Sequence, residues 1–104
     1  MLIRFKIYLT ERALKEINQF LPLIRERILK RIEELSLNPL PRDSMKISEL
    51  RDVYCITVDN LRIFYKIIYK EKRIIIFKIS PRRSIVRRTM MRPIPFFAFF
   101  IPTS

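Results

Sequence analysis

Between residues 53 and 80 the chain is broken only by two short polar turns, Asp59-Asn60 and Lys70-Glu71-Lys72. Connections this short join antiparallel neighbours, because a parallel crossover needs a dozen or more residues. Three consecutive strands are therefore expected. Residues 53–58 alternate, with Tyr54, Ile56 and Val58 on one face and Val53, Cys55 and Thr57 on the other. In the next run Leu61, Ile63, Tyr65, Ile67 and Tyr69 form an apolar ladder predicted to face a core. Arg62, Phe64, Lys66 and Ile68 point the other way, and residues 73–80 complete the set. Asp and Asn suit the first turn because both tolerate positive φ.

The N-terminal half has a different period. Residues 2–9 partly alternate apolar with basic and are expected to form a strand. Thr10 is a favourable N-cap, with Glu11 in the first turn, where the helix dipole favours negative charge. Ala13, Leu14, Ile17 and Leu21 follow at helical spacing. Pro22 starts a second helix, whose predicted buried stripe is Leu23, Ile24, Ile28, Ile32 and Leu35. Asn38-Pro39 is expected to end it, with Asn38 in a left-handed cap and Pro39 blocking continuation. A loop then leads to a short strand near 45–47. The predicted fold is α+β: an N-terminal strand, an αα-hairpin and a four-stranded, mostly antiparallel meander, with the helices on one side of the sheet.

A length of 104 residues fits one such domain, here 1–88. Residues 89–104 form an apolar Pro/Phe-rich tail holding four of the eight Phe residues. That tail is too short and too interrupted by proline to cross a bilayer, so no stable membrane insertion is expected. An interfacial anchor, a docking segment, an apolar arm over the domain and a terminus without a role all remain open for it.

Composition removes several chemistries. Without Gly there is no Gly-rich phosphate cradle, and without His there is no Ser-His or Cys-His couple and no usual zinc site. No cofactor is expected. The single cysteine, Cys55, excludes an intrachain disulfide and reads as a small packed hydrophobe. The first ten residues lack the apolar stretch of a signal peptide, so a cytoplasmic location is expected.

Net charge is +12, and its distribution is uneven. Residues 1–52 carry 11 bases and 8 acids, whereas residues 53–104 carry 11 bases and 2 acids. So one-sided a field favours a polyanion, with nucleic acid ahead of an acidic membrane or an acidic protein. The sheet face turned away from the helices should gather Cys55, Thr57, Arg62, Phe64, Lys66, Lys78 and Ser80, with Arg82, Arg83 and Arg87 just beyond. Spaced cations with an aromatic suit single-stranded RNA, the cations holding phosphates and Phe64 offering a stacking surface. The plainer alternative for Arg62 is a solvated strand residue paired with Asp59 or another acid, and for Arg82, Arg83, Arg87 and Arg88 a solvated basic end. Strand scission needs neither metal nor His if a ribose 2′-hydroxyl is held in line with the leaving 5′-oxygen and fixed Arg groups stabilise the phosphorane charge.

Several segments together resemble the RelE/ParE toxin superfamily. They are Glu11-Arg12-Ala13-Leu14-Lys15-Glu16, the helix ending in Asn38-Pro39, Leu50-Arg51-Asp52-Val53-Tyr54, Asp59-Asn60-Leu61-Arg62-Ile63-Phe64-Tyr65 and Ile79-Ser80-Pro81-Arg82-Arg83-Ser84. The resemblance spans about residues 1–88. It implies a RelE-like fold and a type II toxin neutralised by a cognate acidic, RelB-like antitoxin. In the RelE branch it implies a ribosome-dependent endoribonuclease that cuts mRNA in the A site. Arg62 and Arg82, or Arg83 if the loop shifts by one, then correspond to the catalytic arginines; Lys66, Lys78, Arg83, Phe64 and Arg87 are the expected RNA-binding residues. Cys55 and Thr57 stand where bacterial RelE places two Lys residues, and the family's C-terminal Tyr is absent near Arg87. A ParE-like, gyrase-inhibiting toxin and a catalytically inactive RNA- or ribosome-binding homologue are the alternatives.

Overall fold

The computed structural model describes residues 3–81, so Arg82, Arg83, Arg87, Arg88 and the tail 89–104 lie outside the described residues. Strand β1 (Lys6–Leu9) leads to helices α1 (Glu11–Asn18) and α2 (Pro22–Leu35). Strands β2 (Met45–Lys46), β3 (Val53–Val58), β4 (Leu61–Ile68) and β5 (Arg73–Pro81) follow. The sheet order is β1-β5-β4-β3-β2. All pairings are antiparallel except that of β1 with β5, which is parallel and makes the sheet mixed. The expected α+β order is thus present, and the αα-hairpin is the crossover from β1 back to the sheet.

Local chemistry sets the helix starts. The Thr10 hydroxyl accepts the Ala13 amide at 3.1 Å, satisfying one of the four unpaired donors of α1. Pro22 occupies the first turn of α2, where no amide hydrogen is needed. The end of α2 departs from expectation. Ser36 caps it in right-handed geometry, its hydroxyl donating to the Glu33 carbonyl at 2.8 Å. Asn38 is not among the positive-φ residues. The left-handed positions are Asp52, Asp59 and Lys72, so three turns that would commonly use Gly are made with side chains present.

The core lies between the helices and one sheet face. Ala13, Ile17, Ile28, Ile32 and Leu35 meet Ile56, Ile63, Tyr65, Ile67, Ile74, Ile76 and Ile79 there. Each aliphatic chain fully buried contributes about 1.5–3 kcal/mol. Tyr65 keeps its hydroxyl satisfied inside this core by donating to the Pro39 carbonyl at 2.7 Å. Burial raises the Tyr65 pKa above the ordinary tyrosine value.

Two predicted core positions, Leu23 and Tyr69, are exposed instead, as are Leu14 and Leu21 from the set at helical spacing. Leu21 caps α2 from outside, Leu23 is on its first turn, and Leu14 is on the solvent side of α1. Tyr69 leaves the β4 ladder because the strand ends at Ile68 and a 3₁₀ turn, Tyr69–Glu71, begins. Glu16 takes a core position that the apolar pattern leaves unassigned. It is fully buried and accepts from the Ile79 amide at 2.7 Å and from Arg12 Nε at 3.0 Å.

Candidate nucleic-acid interface

None of the five strands contains an Asp or Glu. On the face turned away from the helices, register places side chains in rows, since directly paired residues share a side. One row is Thr57, Arg62 and Ser80; the next is Cys55, Phe64 and Lys78; the third is Val53, Lys66 and Ile75. All seven residues expected to share this face do so. Cys55 is 1% exposed, as its assignment as a packed residue requires.

A β-bulge shapes the centre of the face. Tyr65 pairs with Ile76, while Phe64 pairs with Lys78, so Phe77 and Lys78 together oppose Phe64. The extra residue lets Ile74, Ile76 and Ile79 all reach the core despite their uneven spacing. On the open side it sets the Phe77 ring 6.3 Å from that of Phe64, with the planes at 41°. Lys78 Nζ lies over the Phe64 ring at 5.6 Å, an attraction between a cation and the negative face of the aromatic. The break in the isoleucine spacing was the sequence signal for Phe77, but it did not say which residue is extra.

Arg62 sits in the row beside this cluster. Its Nε is buried and has no hydrogen-bond partner among the described residues. The alternative of an Arg62–Asp59 pair is overturned. Asp59 is held from the helix side by Arg27, whose Nη1 donates to both carboxylate oxygens at 3.0 Å. A buried guanidinium donor without an acceptor costs on the order of 1–3 kcal/mol, and a phosphate oxygen would satisfy it.

The face also extends onto β1, which sequence reasoning left out. Parallel register sets Lys6 beside Arg73 and Tyr8 beside Ile75. The Arg73 guanidinium lies 5.2 Å from the Tyr8 ring centre, and Tyr8 is 43% exposed. Glu71 Oε1 meets Arg73 Nε at 3.2 Å from the turn before β5. The alternation of Lys6 and Tyr8 with Ile7 and Leu9 was visible, but the neighbour of β1 was not. Among the described residues no three His, Cys, Asp or Glu side chains gather in a way that would hold a metal ion. Nor is any helix there long and apolar enough to cross a membrane.

Comparison with known proteins agrees with this architecture. Residues 7–86 match the family described as the ParE toxin of the type II toxin–antitoxin system parDE. A Methanocaldococcus jannaschii protein named as toxin RelE1 is 29% identical over 82 residues, covering 76% of this chain and 91% of that protein. A chain of the Methanococcus jannaschii RelB–RelE antitoxin–toxin complex is 30% identical, with a TM-score of 0.61, covering 75% of this chain and 93% of that one. A chain of the archaeal RelE–RelB complex from Pyrococcus horikoshii has the same fold at a TM-score of 0.70 and 24% identity, covering 77% and 97% of the two chains. With the family match reaching from β1 past the end of β5, the chain belongs to the RelE/ParE superfamily of type II toxin–antitoxin toxins.

Proposed function

We propose that this toxin is a ribosome-dependent endoribonuclease that cleaves mRNA in the A site. The observation that carries the reading is Arg62: a buried guanidinium nitrogen without a partner, on a sheet whose strands hold no carboxylate. Beside it Phe64 and Phe77 offer ring surface, and Lys78 and Lys66 add positive charge. In the proposed step the ribose 2′-oxygen bonds to the adjacent phosphorus and the bond to the 5′-oxygen breaks. The products are a 2′,3′-cyclic phosphate and a 5′-hydroxyl, the proton of the 2′-hydroxyl passing through solvent to the leaving oxygen. Arg62 stabilises the charge gathering on the phosphate oxygens, and Arg82 is assigned the same work by family resemblance. Arg83 and Arg87 are proposed to hold flanking RNA. Because Cys55 and Thr57 replace a pair of Lys residues, orientation on the ribosome carries more of the rate here.

A cognate RelB-like antitoxin is the proposed partner. The relatives from Pyrococcus horikoshii and Methanococcus jannaschii were crystallised with RelB, and a chain of net charge +12 suits an acidic segment that folds over it.

The test is primer extension on an mRNA translated in vitro, with the wild-type protein and an Arg62→Ala/Arg82→Ala variant. New cuts that require ribosomes and vanish in the variant support the proposal; a folded protein giving no cuts overturns it. One observation favours a second reading. The matching family is described as ParE, so inhibition of gyrase supercoiling without RNA cleavage is the alternative outcome. Ribosome binding without either activity would identify an inactive homologue.

A further inference from the structure

The cluster beside Arg62 and the Tyr8–Arg73 pair are two separate cation–aromatic stations on one face. They lie on either side of β5: Phe64 is on β4, Tyr8 is on β1, and both strands pair with β5. At about 4.8 Å between strands and about 3.3 Å per residue along them, the Tyr8 and Phe64 positions lie about 10 Å apart across the sheet and about 7 Å along it. Lys66 and Ile75 fill the row that runs to Tyr8. Tyr8 adds nothing to the helix-side core, because its strand neighbours Ile7 and Leu9 pack there instead. A 43% exposed tyrosine with a guanidinium over its ring, on a strand without acids, has the features of a base-stacking site with a phosphate clamp. Sheet-borne aromatics that stack successive bases are an established way of holding single-stranded RNA.

We infer that Tyr8 and Arg73 form a second subsite that binds a nucleotide of single-stranded RNA several positions from the one held at Arg62. The RNA strand crosses β5 diagonally, stacking a base on Tyr8 and laying a phosphate against Arg73. Charge complementarity selects this occupant over an apolar one, since Arg73 lies over the ring, Lys6 and Lys66 share its side of the sheet, and among the described residues the acid paired with Arg73 is Glu71, at the preceding turn. The subsite rests on the RNA-directed reading of the Arg62 face and extends it to the length of RNA engaged.

The experiment is fluorescence anisotropy of a labelled dodecauridylate with the full-length protein and no ribosomes, over a range of salt concentrations. Tyr8→Ala should weaken binding about tenfold with an unchanged salt dependence, because a stacked ring is lost and no charge is. Tyr8→Phe should restore binding. Arg73→Gln should weaken binding and reduce the salt slope by about 0.7, the value for one phosphate contact on a single strand. Thermal unfolding of each variant confirms that it is folded. Binding of Tyr8→Ala within twofold of wild type overturns the inference, as does absence of dodecauridylate binding by the wild-type protein. An equal loss by Tyr8→Ala toward polyglutamate overturns it too, since the site would then recognise charge alone. Cleavage is scored separately. An Arg62-dependent nuclease indifferent to Tyr8 loses only this subsite, whereas Tyr8-dependent binding by a protein that never cuts keeps the subsite and removes the nuclease.

Discussion

The buried carboxylate of Glu16 accepts the amide hydrogen of Ile79 at 2.7 Å, joining residues 63 positions apart in the chain. Strand β1 covers the outer edge of β5 only from Arg73 to Ile76, and β5 runs on to Pro81. Beyond β1 the edge amide of Ile79 needs an acceptor, and α1 supplies one from its second turn. Arg12, one turn earlier on the same helix, donates to the other oxygen at 3.0 Å and balances the charge. The bond therefore fixes the end of β5, where Lys78 and Ser80 face the open side of the sheet.

Glu16→Ala should destabilise the protein by about 2–4 kcal/mol, because it leaves a buried amide unsatisfied and opens a cavity. Glu16→Gln keeps an acceptor for Ile79 and should lose roughly half as much. Urea unfolding of the two variants checks the order; equal losses would place the effect in packing rather than in the hydrogen bond.

On the proposed mechanism, Arg62→Ala should lower ribosome-dependent cleavage by about 10²–10³-fold, the range for one preorganised transition-state donor. Its Nε has no partner among the described residues, so stability should not fall, the relief of about 1–3 kcal/mol being set against lost side-chain packing. Arg62→Lys should recover only a minor part, since an ammonium lacks the planar fork that meets a phosphate. Rate and melting temperature measured on the same preparations separate the two effects.

Lys72 holds φ at 54° where it ends the 3₁₀ turn before β5. A residue with a Cβ pays roughly 1–2 kcal/mol in that region, and Gly does not. Lys72→Gly should raise stability by about 0.5–1 kcal/mol after the added entropy of the unfolded chain is offset. For a domain of this size that corresponds to an increase of about 2–8 °C in melting temperature. A decrease on calorimetry would mean that the Lys72 side chain contributes more than its backbone strain costs.

Arg31 bonds to the Asp43 carboxylate and to Glu34, tying α2 to the loop before β2. The hydrogen bond from Arg31 holds the Asp43 pKa below its ordinary value of 3.8. A depressed carboxylate pKa contributes stability above the unfolded value and loses it as pH falls through the folded one. Asp43→Asn should therefore be less stable than wild type at pH 7, by about 1 kcal/mol or less for so exposed a pair. The gap should close below pH 3.8 as wild type takes up the proton. A gap independent of pH in urea titrations would show that the charge of Asp43 is not what matters.

How far the sequence reached can be followed through β5. The period-two ladder Leu61, Ile63, Tyr65, Ile67 was legible because backbone geometry alone sends alternate residues to opposite faces, and all four are buried. The capping hydroxyl of Thr10 and the proline start of α2 were legible for the same reason: each acts within one turn of chain. Arg62, Phe64, Lys66 and Lys78 followed from the ladder, and they share the open face.

The sequence by itself determined the order of elements, the antiparallel meander and the sign of the charge on its open face, because these depend on local sterics and on side chains a few residues apart. Only the tertiary structure decided that β1 lies parallel beside β5, that Phe77 is the bulged residue and that Glu16 belongs in the core. Each of these rests on contacts between distant parts of the chain. An unpaired strand edge, an uneven row of isoleucines and a lone carboxylate acquire a partner only when the sheet closes, and no local period records which partner it is.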